Sequence, residues 1–124
     1  MAPIADLAID RWFTEAFRAA HPDRVTRIHR RLVTTALTGY LPAYRVFVDG
    51  DPAIGDLLPE LTNPALFVTG DRDTGSTAAM SHAMAALAPE SVAHVMSDTG
   101  HLPPIERPDE FTAVLTDFLE RSDP

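Results

Sequence analysis

Two places in this sequence put a titratable side chain just past a short apolar run. In ALFVTGDRD, Asp73 follows Gly70 by three residues; in VAHVMSDTGH, His101 follows Gly100 directly. A carboxylate and an imidazole have a joint use. The carboxylate accepts the Nδ1–H and fixes the tautomer, leaving Nε2 free to take a proton from a nucleophile. That is general-base chemistry with an orienting acid, two of the three parts of an acyl-transfer triad. Asp71 is a rival acid two residues earlier, and it reads as a solvated turn residue. His21, His29, His82 and His94 form neither H-x-x-x-H nor H-E-x-x-H. His29 also sits in an arginine-rich stretch that repels a cation, so no metal site is expected.

For the pair to meet, the two runs must be neighbouring parallel strands, because sites in open α/β sheets form beyond the strands' carboxyl ends. Residues 65–69 (ALFVT) lie between Pro64 and Gly70, and residues 92–96 (VAHVM) repeat the pattern. Short continuous apolar runs suit strands buried on both faces. Between them, Ser76 is placed to cap a helix over 77–88 that turns Met80, Met84 and Leu87 inward and stops at Pro89. After His101, Pro108 suits the first helical position, with Asp109 and Glu110 at the positive helix end. Phe111, Val114, Leu115, Phe118 and Leu119 then form the clearest helical stripe in the chain. Strand, helix, strand, helix describes a parallel α/β layer.

The first part of the chain reads as helix. Ile4, Ala8, Trp12 and Ala16 recur every four residues with Ile9, Phe13 and Phe17 beside them, predicting one broad apolar face that runs to His21-Pro22. Val25, Ile28, Leu32 and Ala36 carry a second helix that Gly39 is expected to close. A third, short helix is expected over 40–48, with Pro42 in its first turn. Trp12 reads first as packing and second as a substrate-binding wall of a pocket. Arg24, Arg27 and Arg31 share a face, joined more loosely by Arg30. It reads as solvated surface; the sharper reading is a basic patch that draws an anionic substrate.

Composition narrows the classes of function. At 124 residues, 45% hydrophobic and 23% charged, the chain suits one small globular domain. It has no apolar run of about 18 residues, so no membrane span is expected. The stretch MAPIADLAID carries acids and no basic run, so it does not read as a secretory signal, and a cytoplasmic location is expected. Cysteine is absent, which excludes disulfides and a thiol nucleophile; all ten basic residues are arginine, which excludes a Schiff-base lysine. A net charge of −8 argues against nucleic acid as a partner. The charge is uneven. Residues 1–45 hold seven Arg against four acids, residues 46–124 three against fourteen, and a boundary is expected near the Pro- and Gly-rich DGDPAIGDLLPELTNP at 49–64.

These motifs resemble parts of the α/β-hydrolases. GHLPPIERPDEFTAVLTDFLER is similar to the end of such a chain, FVTGDRD to the strand and turn that bear its acid, and Gly100, His101, Glu106 and Pro108 match a GHxxxxExP pattern. IADLAIDRWFTEAFRAAHPDRV followed by TGYLPAYRVFVDGD is similar to the cap of 3-oxoadipate enol-lactonases. One departure is TGST after Asp73, where those relatives often have a Thr-Pro pair. The resemblance covers nearly all 124 residues. It implies a partial α/β-hydrolase fold, with a helical cap segment at 1–58 and the last two parallel strands with flanking helices at 59–124. It implies ester or lactone hydrolysis with Asp73 and His101 as catalytic residues, and no cofactor. It also implies that Glu106 anchors the loop after His101, unless it caps the final helix. In the family the triad runs nucleophile, acid, histidine. None of Ser76, Ser81, Ser91, Ser97 and Ser122 lies in G-x-S-x-G, so the nucleophile and oxyanion hole are expected from residues outside this chain.

Three functions are open on this reading. The first is a hydrolase chain acting on a small-molecule ester or lactone and completed by an N-terminal half. The second is a non-catalytic, truncated relative serving as a binding or dimerisation module. The third is another chemistry of the same fold, such as haloalkane or epoxide hydrolysis or perhydrolysis. Two parallel strands cannot by themselves bury both faces, so ALFVT is expected to leave an open edge that a complementing half or a second copy covers.

Overall fold

A computed structural model describes residues 2–122, and at 51–53 the backbone alone. In chain order the elements are α1 (Ala2–Trp12), α2 (Glu15–Ala20), α3 (Pro22–Thr34), α4 (Leu37–Ile54), a 3₁₀ turn (Gly55–Glu60), β1 (Ala65–Gly70), α5 (Ala78–Leu87), β2 (Ser91–Met96), α6 (Pro103–Glu106) and α7 (Pro108–Ser122).

β1 and β2 pair in parallel, Ala65 opposite Ser91 through Gly70 opposite Met96. Among the described residues they are the whole sheet, so each strand keeps one unpaired edge. α5 crosses between them and packs on both. Equal strand lengths in register bring both carboxyl ends out at one level. Two further bonds extend the pairing past the strands, from the Asp71 amide to the Met96 carbonyl (3.0 Å) and from the Arg72 amide to the Thr99 carbonyl (3.0 Å).

The expected single helix before His21 is two helices. Thr14 is extended (φ −61°, ψ 151°), and its hydroxyl accepts the Phe17 amide at 3.2 Å, which caps α2. The apolar face survives the break: Ile9, Phe13 and Phe17 form a buried cluster, against which Val25, Ile28 and Leu32 of α3 pack. Leu102 and Ile105 also reach this cluster, tying the helical half to the segment after β2.

The helix expected to close at Gly39 ends earlier. Thr35 is its C-cap, and the Thr34 and Thr35 hydroxyls bond back to the Arg30 and Arg31 carbonyls. These short polar side chains take acceptors the next turn would have needed. Gly39 holds no positive φ; it lies inside α4, which runs through residues 40–48 and on to Ile54. Pro42 therefore falls in the second turn of α4, not the first, where it withholds one backbone donor from the helix. The cap of α5 is also one residue later than expected: the Thr77 hydroxyl, not that of Ser76, accepts from the Met80 amide at 3.4 Å.

Much apolar surface is uncovered. Val46 is 73% exposed, Phe47 64% and Leu119 57%. Among the described residues α4 packs chiefly on the 3₁₀ turn after it and α7 on α6, which leaves these apolar side chains uncovered.

Candidate active site

The site begins with two glycines that let loops touch. A Cβ on Gly70 would overlap the carbonyl oxygens of Thr99 and Gly100, and one on Gly100 would lie 2.5 Å from the Trp12 carbonyl oxygen. Only glycine permits either approach. Asp98 supplies the turn between β2 and this contact, in the left-handed region at φ 49° that Asp tolerates. Its carboxylate pairs with Arg72 at 2.8 Å, bridging the two loops at their rim.

Asp73 and His101 then meet. Asp73 Oδ2 lies 2.6 Å from His101 Nδ1, while Oδ1 accepts the amides of Gly75 (2.8 Å) and Ser76 (3.0 Å). The Asp73 side chain is 4% exposed and that of His101 36%. Burial pushes the Asp73 carboxyl up, but the bonds from His101 and from the Ser76 and Gly75 amides, with the charge of His101, outweigh it and hold the carboxyl below its ordinary value. An ionised Asp73 is acceptor-only, so Nδ1 carries the proton and donates. Nε2 takes no hydrogen bond among the described residues, and on a partly exposed ring it is available as a base.

Asp71 does not reach His101. Its Oδ1 accepts the Thr99 amide at 3.3 Å and lies 3.6 Å from Arg72, so it braces the histidine loop. Trp12 packs against the Ile9–Phe13–Phe17 cluster and also stacks on the His101 ring, at a centroid distance of 6.1 Å and 27° between planes. Its carbonyl accepts the His101 amide at 2.8 Å.

Glu106 anchors the loop. It is 9% exposed; Oε1 accepts the Thr14 amide (2.6 Å) and hydroxyl (2.9 Å), and Oε2 accepts the Gly100 amide. Sequence reasoning missed Thr14 as a site neighbour. The signal available was a Thr followed by Glu, an N-cap pattern inside the apparently continuous helical stripe.

Other candidates lie apart. His29 Nε2 is 2.8 Å from Asp6, and His21 lies against Phe17. Among the described residues no three His, Asp or Glu side chains gather as a metal site requires, and no helix is long and apolar enough to cross a membrane. Arg24, Arg27 and Arg31 are exposed on α3, opposite its packed face. A groove of about 810 Å³ lies beside α4, lined by Leu41, Pro42, Arg45, Val46, Asp49 and Gly50, but neither Asp73 nor His101 borders it. The Asp73–His101 pair and this groove do not coincide.

Residues 1–114 match the profile of the Alpha/beta hydrolase family. The chain belongs to that family. It is 30% identical over 112 residues to the (E)-2-((N-methylformamido)methylene)succinate hydrolase of Acinetobacter baylyi, a match spanning 90% of this chain and 42% of the relative. Among solved structures it is similar to a thermophilic esterase from Thermogutta terrifontis (TM-score 0.88, 30% identity, 98% of this chain and 44% of the esterase). It is also similar to the enol-lactonase from Burkholderia xenovorans (TM-score 0.87, 29% identity, 97% and 45%). The chain thus spans under half the length of these relatives. Its two parallel strands with flanking helices are part of an α/β-hydrolase fold.

Proposed function

We propose that this chain supplies the base and the orienting acid for hydrolysis of a small-molecule ester or lactone, of the kind an enol-lactonase opens. The observation that carries the reading is the 2.6 Å contact from Asp73 to His101 Nδ1, with Nε2 taking no hydrogen bond among the described residues. His101 takes the proton of an attacking hydroxyl and returns it to the leaving oxygen; Asp73 holds the tautomer and stabilises the imidazolium. Residues 1–58 serve as the cap and 59–124 as the end of the core. The nucleophile and the oxyanion-hole amides come from residues beyond these 124, as a preceding segment or a second polypeptide. Support comes from relatives more than twice as long and from the unpaired edge of the sheet, which a further parallel strand would fill.

The test is complementation. The N-terminal part of the Thermogutta terrifontis esterase, cut where its match to this chain begins, is fused to or mixed with this chain and assayed on p-nitrophenyl esters. Turnover that needs both parts and is abolished by His101→Ala is expected. Full turnover in His101→Ala, or none from a folded fusion, refutes the reading.

The exposed apolar stripes of α4 and α7 favour a second reading, a non-catalytic module that self-associates through them. Size-exclusion chromatography of the chain alone separates the two: a stable, defined dimer that does not exchange for the complementing part favours the module.

A further inference from the structure

We infer that Glu106 is the positioning residue for His101, acting through Thr14, Gly100 and Trp12; the inference rests on the reading of His101 as base. Both oxygens of its carboxylate end on segments that hold the histidine. Oε2 binds the amide of Gly100, the residue before His101. Oε1 binds both donors of Thr14, two residues after Trp12, and Trp12 in turn takes the His101 amide on its carbonyl and holds its indole beside the imidazole, with ring centroids 6.1 Å apart. One buried side chain thereby closes a ring of contacts around the base, joining residues 92 positions apart.

The charge on this clamp makes a purely packing role unsuitable. No cationic side chain pairs with Glu106 among the described residues; three neutral donors alone compensate it. A buried carboxylate so held is costly to misplace, because any rotation leaves a charged oxygen unsatisfied. The clamp is therefore stiff. Loss of one oxygen acceptor frees either the Thr14 turn or the Gly100 amide, and the imidazole is then no longer held from both sides against Asp73. The end of α1 and the base move together or not at all.

Two signals read His101 directly in the 124-residue chain, without turnover. The Nδ1–H proton, resolved by NMR of the ¹⁵N-labelled chain, exchanges with water at a rate set by its bond to Asp73. Trp12 is the only tryptophan, so its emission reports whether the indole stays against the imidazole. Glu106→Gln keeps the shape but offers one acceptor oxygen in place of two. It is expected to speed Nδ1–H exchange about tenfold, the factor set by loss of one hydrogen bond to a charged acceptor, and to shift the Trp12 emission. Thr14→Val removes the hydroxyl that donates to Oε1 and, with it, the α2 cap on the Phe17 amide, while the Thr14 amide donor stays; it should move both signals the same way by less. Ser91→Ala removes the hydroxyl that binds the Ala85 and Ala88 carbonyls, at the end of β2 opposite the site, and should move neither. Should Glu106→Gln fail to fold, Thr14→Val decides.

Wild-type exchange and emission in Glu106→Gln, or in a folded Thr14→Val where that variant decides, overturn the inference. So does an equal change in Ser91→Ala, which would make the effect one of general stability. If the clamp signals respond while the fused enzyme fails to hydrolyse esters, the role of His101 as base falls and its positioning by Glu106 stands.

Discussion

Replacing Asp73 with asparagine preserves shape and alters one interaction. Oδ1 of the amide still accepts from Gly75 and Ser76, but the –NH₂ now faces His101 Nδ1, donor against donor. The ring must turn or take the other tautomer, with the proton on Nε2. A hydrogen bond to a charged acceptor contributes about 1.5–3 kcal/mol. Because the imidazole is 36% exposed, solvent screens the charge and the lower end applies. The expected loss at pH 7 is thus about 1–2 kcal/mol.

The pH dependence has a definite sign. The folded Asp73 carboxyl lies below its ordinary value, since its hydrogen bonds outweigh the burial that opposes ionisation. A carboxyl depressed on folding adds stability above its unfolded value, about 4, and loses it as pH falls through the lower folded value. The gap between wild type and Asp73→Asn is therefore full at neutral pH and closes in strong acid. Urea unfolding followed by Trp12 fluorescence measures it, with the slope m unchanged. A variant as stable as wild type at pH 7, or a gap that persists undiminished toward pH 2, refutes the argument. In the fused enzyme the same substitution should cut kcat by about 10⁴, the scale of a wrong tautomer.

Gly70→Ala should cost about 3 kcal/mol or more, because its Cβ meets backbone of the histidine loop and no flexible side chain can give way; thermal unfolding by circular dichroism checks this. Thr77→Ala should lower stability by about 0.5 kcal/mol, the low end for a cap given its 3.4 Å bond, whereas Ser76→Ala should change little. Both are read from urea midpoints. Leu119→Glu, in the exposed stripe of α7, should shift the isolated chain toward monomer in size-exclusion chromatography; an unchanged elution volume would remove that stripe from any self-association.

The two strands and α7 were legible because each signal is local. ALFVT between Pro64 and Gly70, and the proline-led stripe of residues 108–119, carry period and punctuation in adjacent residues. Expected and observed strands differ by one residue each, Gly70 and Ser91 being added. The helical half was less legible, and for local reasons as well. Thr14 hides a cap inside an unbroken apolar period, Thr34 and Thr35 end a helix without glycine, and Gly39 continues one. At the three threonines side-chain oxygens competed with the backbone for hydrogen bonds, which an apolar period does not record.

The candidate site divides along the same line. Residue types just past the strand ends brought His101 and two acids, Asp71 and Asp73, into view, because a strand's end is written in the residues that stop it, and the family resemblance pointed to Asp73. Which acid faces the imidazole, that Asp71 instead braces Thr99, and that Glu106 binds Thr14 were decided only by the tertiary structure. Those contacts join residues 28 and 92 positions apart. They depend on strand register and on how closely two glycines let backbones approach, and no stretch of neighbouring residues contains that distance.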